Sequence, residues 1–329
     1  MERIIHKNKK YTVVSLFAGI GGFDIAFENA GFKSIWANDI DKYACETFRA
    51  NVHDRIVCGD INDYLDDIPD HDVLVGGFPC QPFSTLGKLK GFSDERGTLF
   101  FTIKKIIKKH NTKVVVLENV KNIVNHDKGQ TFKRIINELE KLGYDVNYKI
   151  LNSADFGIPQ RRNRVYIVAF NKKYFKKGDF KYPEPMKLKI TAQDILDDDV
   201  GERYFIGKKL INTILGKGTK GYIVEPTIDM PICKTLTATM HKMHRASQDN
   251  YYTDEINYNK HCDKSIKTNL RKLTPNECRK LQGFPNDWKQ VVSDTQAYKQ
   301  FGNAVTVDVA YGVAKNVLKY MELNKMKGL

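Results

Sequence analysis

The sequence lacks the patterns of disulfide-stapled domains, metal ribbons and membrane proteins. Its six cysteines are scattered over 329 residues without a CxxC pair, which argues against a disulfide scaffold or a zinc ribbon. No apolar run approaches the roughly 20 residues that span a bilayer, and the polar start MERIIHKNKK has no apolar core of a signal peptide. We therefore expect a reducing, cytoplasmic setting, in which Cys80 persists as a free thiol.

Negative charge is also scarce relative to positive charge. The chain has 53 Lys and Arg against 39 Asp and Glu, a formal net charge of +14. A field of this sign favours polyanionic partners, especially nucleic acid. The alternative, that the lysines only keep the surface soluble, stays open at this point.

Short apolar runs alternate with amphipathic segments in the first half of the chain. The apolar runs predict strands at 11–17, 33–39, 55–60, 72–78, 113–119, 145–151 and 164–170. The amphipathic segments predict helices at 22–32, 41–51, 99–110 and 131–143. This alternation predicts an α/β fold with an open, mostly parallel sheet and helices on both faces.

The alternation stops after about residue 185. Residues 201–272 are rich in Gly, Thr, Asn, Tyr and Lys without a convincing helical stripe, which predicts a separate, smaller, basic domain. Helical patterns return at 273–284 and 305–321.

A glycine loop follows the first predicted strand, in LFAGIGGF (16–23). Its glycines let the backbone approach a ligand, and the following helix N-terminus favours an anionic group. Asp39, at the end of the second strand, is placed to accept hydrogen bonds from ribose hydroxyls, and Asp60 ends the third strand. The spacing is GxGG, so S-adenosylmethionine fits better than NAD; a glycine turn without a ligand is the alternative.

The segment GGFPCQPFS (76–84) holds Cys80 between two prolines beyond the fourth strand. A thiol at this edge of the sheet is a candidate nucleophile, although a buried spectator cysteine is the alternative. Glu118, at the end of the next strand, is a candidate proton donor. Arg162 and Arg164 in QRRNR are expected to point the same way and to contact carbonyl or phosphate groups, unless they form only an exposed basic edge.

Five ordered motifs together resemble those of the bacterial DNA cytosine-5 methyltransferases. They are LFAGIGGF, GGFPCQPFS, LENV, QRRNR, and RKLTPNECRKLQGFP followed by QAYKQFGNAV. The resemblance covers about residues 11–170 and 271–318. It implies a Rossmann-like, S-adenosylmethionine-dependent sheet and a smaller target-recognition domain.

The resemblance also implies a mechanism. Cys80 would add to C6 of a cytosine flipped out of duplex DNA, Glu118 would bind N3 and the exocyclic amino group, Arg164 would bind O2, and Arg162 would support the loop. These four are the predicted catalytic residues. C5 would then accept the methyl group, and loss of its proton would release the thiol.

The cofactor site implied by the resemblance is formed by residues at the carboxyl ends of the strands and near the C-terminus. Ile40 departs from many relatives, which have an aromatic residue there, so adenine stacking is expected to be weaker. The predicted cofactor residues are Phe17, Ala18, Gly19, Gly21, Gly22, Asp39, Ile40, Asp60, Ile61, Pro79, Leu99, Asn303 and Ala304.

The predicted DNA contacts lie after Cys80 and in the recognition domain, where KTLTAT resembles the family's short Thr-Leu element. Side chains of 231–252 are of types that read base edges in a major groove. No spacing of His241, His244, His261 and Cys262 fits a standard zinc site, so we predict no metal. The predicted DNA-binding residues are Gln81, Ser84, Lys88, Thr235, Thr237, His241, Lys242 and Arg245.

The sequence thus predicts four segments: 1–188 as the first part of the catalytic and cofactor-binding domain, 189–272 for target recognition, 273–302 as hinge and return, and 303–329 as the helix that completes the catalytic domain. We expect a monomeric, cytoplasmic enzyme of bacterial or phage origin that acts on double-stranded DNA, without an obligate protein partner, in a restriction-modification system. The alternatives are an RNA (tRNA) cytosine-5 methyltransferase, a Rossmann-type oxidoreductase and a non-catalytic DNA-binding protein.

Overall fold

The computed structural model describes residues 2–4, 6, 10–78, 99–219 and 222–326. The chain divides into two compact units. The first, called the sheet unit here, is formed by Glu2–Asn152, Asn163–Glu184 and Val307–Leu329. The second unit is formed by Ser153–Arg162 and Pro185–Thr306. None of the helices in the described residues is long and apolar enough to cross a membrane.

The sheet unit contains one seven-stranded sheet. Its strand order is β3-β2-β1-β4-β5-β8-β6. The first five of these strands pair in parallel, and β8 runs antiparallel to both β5 and β6. The strands are β1 (Thr12–Leu16), β2 (Lys33–Asp39), β3 (Ile56–Cys58), β4 (Val73–Gly77), β5 (Val114–Val120), β6 (Tyr144–Asn152) and β8 (Asn163–Asn171).

Helices cover both faces of this sheet, as the uniformly apolar strands require. On one face, Val115 belongs to a core cluster with residues of two helices. On the other face, ring centroids lie 6.4 Å apart for Phe23 and Tyr166 and 4.0 Å apart for Phe170 and Tyr320. The predicted open, mostly parallel α/β sheet is therefore confirmed. The helices are α1 (Gly22–Asn29), α2 (Lys42–Asn51), α3 (Leu99–His110), α4 (Gln130–Lys141) and α9 (Val307–Asn324).

Element boundaries differ from the predicted ones mainly at the ends. Helix α1 ends at Asn29 rather than at residue 32, and Gly31 follows it with φ 103°, a left-handed conformation that glycine adopts without strain. The third strand covers only three residues, because Asp60 caps the next turn by accepting a hydrogen bond from the Asn62 N–H. Helix α9 continues to Asn324, three residues beyond the predicted end.

The second unit is built from short strands and helices. Strands β9, β13 and β14 form an antiparallel sheet in the order β13-β14-β9, β7 pairs in parallel with β12, and β10 pairs with β11. The elements are β7 (Gln160–Arg161), β9 (Phe205–Gly207), β10 (Gly218–Thr219), β11 (Tyr222–Ile223), β12 (Cys233–Lys234), β13 (Tyr251–Thr253), β14 (Lys267–Lys272), α5 (Ile211–Ile214), α6 (Glu255–His261), α7 (Pro275–Leu281) and α8 (Asp294–Asn303).

The two units divide the chain differently from the predicted segments. Residues 153–162 pack with the second unit, and so does the predicted hinge segment, 273–302. The functional division of the chain into catalytic and recognition segments stays a prediction.

A buried ion cluster stabilises the second unit. Arg271 on β14 is 0% exposed. Its Nε lies 2.7 Å from Asp254 Oδ2, and its Nη1 and Nη2 lie 2.9 and 2.8 Å from the two carboxylate oxygens of Glu277. Glu277 also accepts a hydrogen bond from the Thr274 N–H in the capping box of α7. One arginine therefore forms ion pairs with two carboxylates and joins β14 to two helix N-termini.

Replacing Arg271 by methionine should destabilise the protein strongly. The substitution leaves the carboxylates of Asp254 and Glu277 without their cation, which costs about 3–5 kcal/mol of unfolding free energy for a buried pair. The matched control is Glu225→Gln, because Glu225 forms an ion pair with Lys217 in which both side chains are 69% exposed; almost no change is expected there. Urea unfolding measures both. Equal, small changes in the two variants would contradict the role of the buried cluster.

Candidate active site

The glycine loop joins β1 to α1 in a conformation that requires glycine. Gly19 and Gly21 have φ of 55° and 86°, and even Phe17 has φ 53°. A Cβ on Gly21 would lie 2.6 Å from Cγ2 of Val52. The Ala18 N–H donates to the Asn38 carbonyl at 2.9 Å, which holds the loop against the end of β2. The structure thus places Phe17, Ala18, Gly19 and Gly21 in one tight turn at the carboxyl edge of the sheet, and Gly22 at the first position of α1.

Asp39 fixes this loop through its side chain. Its Oδ2 accepts a hydrogen bond from the Gly19 N–H at 2.7 Å, and its Oδ1 accepts one from the Asp41 N–H at 2.8 Å. Burial raises the pKa of this carboxyl group above its usual value. Each carboxylate oxygen has a second lone pair, so the carboxylate that shapes the loop still has acceptor capacity for ribose hydroxyls.

The other predicted cofactor residues of the sheet unit differ in exposure. Ile40 is 71% exposed directly after Asp39. Asp60 is exposed, and its Oδ1 accepts hydrogen bonds from the N–H and Nδ2 of Asn62 at 2.9 and 2.8 Å. Leu99 is half-buried at the first residue of α3. The side chain of Ile61 is only 2% exposed and lies in the core, so only its main chain is left for a ligand.

A buried carboxyl group lies in the first turn of α1. Asp24 is 0% exposed, and its Oδ1 accepts a hydrogen bond from Ser34 Oγ at 2.6 Å. Burial raises its pKa to about 6, against the hydrogen bond from Ser34 that lowers it. The folded state thus holds this proton more tightly than the unfolded chain. The group's contribution to stability is complete below about pH 4 and is lost as the pH rises through about 6.

Asp24→Asn should therefore stabilise the protein in alkaline but not in acid solution. Asparagine is neutral at every pH, so the variant avoids the buried charge that the wild type must carry at pH 8. We expect a gain of about 2–3 kcal/mol at pH 8 and almost none at pH 4. Denaturant unfolding at the two pH values measures it. As control, Asp66→Asn should gain nothing at pH 8, because the exposed Asp66 carboxylate pairs with Lys109. A gain independent of pH would contradict the prediction.

Glu118 and Arg164 form an ion pair at the end of the central strands. Arg164 on β8 lies opposite Val120, two residues along β5 from Glu118. Its Nε is 3.0 Å from Glu118 Oε1, and the side chains are 16% and 10% exposed. Arg164 Nη1 also donates to the Asn163 carbonyl at 2.9 Å. The structure thus brings together two of the four predicted catalytic residues, with the arginine orienting the carboxylate.

Asn119 lies at the candidate site, although its sequence pattern assigned it no role. Its Nδ2 donates to the carbonyl of Phe78 at 2.8 Å in a buried setting. Phe78 is the last described residue before the segment of Cys80. Asn119 therefore holds the backbone at the point where the chain leaves β4. In the sequence, its place beside Glu118 was the one feature that pointed to it. Pro79, Cys80, Gln81, Ser84 and Lys88 lie outside the described residues.

The expectation that Arg162 and Arg164 point to one target is wrong. Arg162 is 2% exposed and belongs to the second unit. Its Nη1 donates to the Leu236 carbonyl at 3.0 Å, and its Nη2 donates to the carbonyls of Gly302 and Ala304 at 3.2 and 2.7 Å. Arg162 lies between β7 and β8, whereas Arg164 lies within β8, so the two arginines are not on one strand and the spacing rule does not apply. Asn303 and Ala304 lie at the end of α8.

The predicted recognition residues of the second unit lie around residues 235–245. Thr237 and Lys242 are exposed, and His241 and Arg245 are half-buried. Thr235 Oγ1 already donates to the Arg161 carbonyl at 2.6 Å, so its hydroxyl has only acceptor capacity left. Among the residues that the structure describes, no group of three or more His, Cys, Asp or Glu is placed to hold a metal ion.

The comparisons with known proteins agree with this geometry. The sequence profile of the family described as "C-5 cytosine-specific DNA methylase" matches residues 11–319. The type II methyltransferase M1.ScrFI of Lactococcus lactis subsp. cremoris is 42% identical over 328 residues, which cover 97% of this chain and 81% of the relative. The type II methyltransferase M.HhaI of Haemophilus parahaemolyticus is 37% identical over 332 residues, which cover 94% of this chain and 96% of the relative.

Solved structures confirm the fold. The crystal structure of the S. pombe Dnmt2 methyltransferase superposes with a TM-score of 0.74 at 22% identity, over 94% of this chain and 99% of that chain. The Entamoeba histolytica methyltransferase EhMeth superposes with a TM-score of 0.69 at 24% identity, over 95% of this chain and 98% of that chain. The Rossmann-like methyltransferase fold and the predicted family are both confirmed: the chain belongs to the family of C-5 cytosine-specific DNA methylases.

Proposed function

We propose that this DNA cytosine-5 methyltransferase is the modification enzyme of a type II restriction-modification system, located in the cytoplasm. It would transfer the methyl group of S-adenosylmethionine to C5 of a flipped-out cytosine in double-stranded DNA. The Glu118–Arg164 ion pair beside the Asn119 anchor carries the proposal. Glu118 lies near the end of β5, which pairs with β4. The chain that leaves β4 leads to Cys80. The type II relatives support the restriction-modification role.

The edge of the sheet unit fits an adenosine cofactor. A Cβ added to Gly19 would meet no atom within 4 Å, so space is open above the loop. Helix α1 begins there without a side-chain cap, which leaves N–H groups for an acceptor. Ile40 offers an exposed apolar surface. When bound, S-adenosylmethionine supplies an electrophilic methyl group; Asp39 would hold the ribose, Ile40 would contact the adenine, and Asp60 would reach the purine amino group.

The remaining cofactor and DNA assignments belong to the same proposal. Resemblance to the family supports them, together with the exposed positions of Thr237 and Lys242 in the second unit. Further cofactor contacts would come from Phe17, Ala18, Gly19, Gly21, Gly22, Ile61, Pro79, Leu99, Asn303 and Ala304. DNA contacts would come from Gln81, Ser84, Lys88, Thr235, Thr237, His241, Lys242 and Arg245.

The reaction on the base would use three residues. The Cys80 thiolate adds to C6 of the cytosine, which makes C5 nucleophilic. Glu118 binds the exocyclic amino group and donates a proton or hydrogen bond to N3, so that the ring accepts the electron pair. Arg164 keeps the Glu118 carboxyl group oriented and donates to O2. After methyl transfer, loss of the C5 proton returns the electron pair to the ring and expels the thiolate.

Methyl transfer from tritium-labelled S-adenosylmethionine tests this function. Purified protein is incubated with duplex DNA and, in parallel, with tRNA. Label in DNA is expected, and bisulfite sequencing should place every methylated cytosine in one short sequence. The treated DNA should then resist a restriction nuclease that cuts that sequence. Label in tRNA would favour the RNA methyltransferase, and binding of NAD instead of S-adenosylmethionine would favour an oxidoreductase; either result would overturn the proposal.

A further inference from the structure

Both backbone hydrogen-bonding groups of Leu236 are held by side chains from the QRRNR motif. The Leu236 N–H donates to Gln160 Oε1 at 3.0 Å, and the Leu236 carbonyl accepts from Arg162 Nη1 at 3.0 Å. Leu236 itself is 1% exposed. It lies between Thr235 and Thr237, two of the proposed DNA contacts. The positions of these threonines are therefore set by Leu236, whose N–H and carbonyl groups are both held by hydrogen bonds.

The two side chains that hold Leu236 are themselves anchored to other segments. Gln160 Nε2 donates to the Leu281 carbonyl at the end of α7 at 2.7 Å. Arg162 Nη2 donates to the Ala304 carbonyl beyond α8 at 2.7 Å. Gln160 and Arg162 are 0% and 2% exposed, so neither side chain is available to DNA. Each one links the Leu236 backbone to the end of a helix of the second unit.

The main chain next to Leu236 is packed against α8 without free space. A Cβ added to Gly302 would lie 2.2 Å from the carbonyl carbon of Thr237 and 2.3 Å from the Ala238 nitrogen. Only glycine allows this approach. On the other side, β12 pairs with β7, and Thr235 Oγ1 donates to the Arg161 carbonyl. The segment 233–238 is therefore fixed on both flanks.

We propose that Gln160 and Arg162 are positioning residues for sequence recognition: by clamping Leu236 they set where Thr235 and Thr237 stand against the bases. The proposal rests on the proposed function, in which the segment around these threonines contacts DNA. Threonine has a short side chain with a restricted rotamer, so the reach of its hydroxyl and methyl groups depends on the backbone. Recognition geometry tolerates errors of only about 0.5 Å, so a loosened clamp degrades discrimination between bases.

This role separates Arg162 from Arg164. Arg164 pairs with the Glu118 carboxylate of the reaction site, whereas Arg162 donates to three backbone carbonyls of the second unit. Loss of Arg164 should lower the rate on every DNA sequence. Loss of Arg162 should change which sequences are methylated.

The test compares Gln160→Met and Arg162→Met with a matched control, Arg279→Met. Arg279 is also buried in the second unit, at 7% exposure, and its Nη1 donates to the carbonyls of Phe284 and Pro285 at 2.7 Å. Like Arg162, it donates hydrogen bonds to backbone carbonyl groups, but these carbonyl groups do not belong to residues 235–237. Arg162→Lys serves where Arg162→Met fails to fold, and Gly302→Ala displaces the same segment independently.

Two readouts are expected to change together in the clamp variants. Amide hydrogen exchange at Leu236 should be about tenfold faster or more, because each variant removes a hydrogen bond that holds this residue. The ratio of kcat/KM for the bisulfite-defined sequence to that for a duplex with one changed base pair should fall about tenfold. Arg279→Met should leave both values as in the wild type.

Three outcomes would overturn the proposal. Unchanged exchange at Leu236 would show that the two side chains do not hold it. Faster exchange with unchanged discrimination would show that the clamp is only structural, and a fall in kcat on all sequences alike would place Arg162 in the chemistry. The wild-type rate on DNA, measured first, separates a failure of the proposed function from a failure of the positioning role.

Discussion

Cys80→Ser is expected to abolish methyl transfer to DNA while S-adenosylmethionine and duplex DNA still bind. The reaction needs a thiolate to add to C6, and a serine hydroxyl is not ionised at neutral pH and has no base assigned to activate it. Label transfer measures the rate, and a calorimetric titration measures cofactor binding. A duplex with 5-fluorocytosine at the target should form a denaturation-resistant adduct with wild type only, because fluorine at C5 blocks release of the thiol.

The control for this variant is Cys262→Ser. Cys262 is half-buried at the end of α6 in the second unit. The Cys262→Ser variant should methylate DNA at the wild-type rate. If Cys80→Ser kept a rate within about tenfold of wild type, a factor that a catalytic nucleophile far exceeds, or formed the same adduct, Cys80 would not be the nucleophile. The buried hydrogen bond from Asn119 to Phe78 shows how the sheet controls the chain just before this cysteine.

The sheet unit could be predicted from the sequence because its signals are local. Strand β5 reads VVVLENV, and six of its seven residues are buried, as expected for a strand covered on both faces. Helix α4 places Phe132, Ile135 and Leu139 on its buried side at helical spacing. The glycine loop was recognisable because backbone positions with positive φ are preferentially occupied by glycine.

The second unit could not be derived in the same way. Its strands β7 and β12 have two residues each, too few for a period of two to appear. Arg162 and Leu236 are 74 residues apart in the chain, and nothing in the sequence signals their contact. The buried cluster of Arg271, Asp254 and Glu277 spans only 17 and 6 residues from Arg271, yet it was missed as well, because charged residues are expected at the surface until their partners are known.

The proposed catalytic residues Glu118, Arg162 and Arg164 illustrate both cases. Glu118 was predicted from its place at the end of an apolar strand, and the structure gives it a partner, Arg164, across two antiparallel strands. That pairing depends on the antiparallel direction of β8 within a mostly parallel sheet, which local patterns do not specify. Arg162 lies between the end of β7 and the start of β8, whereas Arg164 lies within β8, and the sequence pattern does not show this break.

Glu118→Gln should lower kcat for methyl transfer by about 10²–10⁴-fold, the usual contribution of a general acid or base. Glutamine keeps the size of the side chain, and its amide oxygen can stay beside Arg164 Nε, which lies 3.0 Å from Glu118 Oε1 in the ion pair. The variant therefore removes the proton and the charge but little of the geometry. Binding of S-adenosylmethionine should stay unchanged. Single-turnover kinetics with duplex DNA measures the chemical step separately from product release.

The matched control is Glu138→Gln, on α4 of the same unit. Glu138 also pairs with a cation, Lys104, at 2.6 Å, but it has no part in the reaction, so its variant should turn over at the wild-type rate. A rise in KM for DNA with unchanged kcat in Glu118→Gln would mean that Glu118 binds the base without activating it. A selective loss of kcat that Arg164→Met shares would mean that Arg164, which orients the carboxyl group and donates to O2, also supports attack at C6.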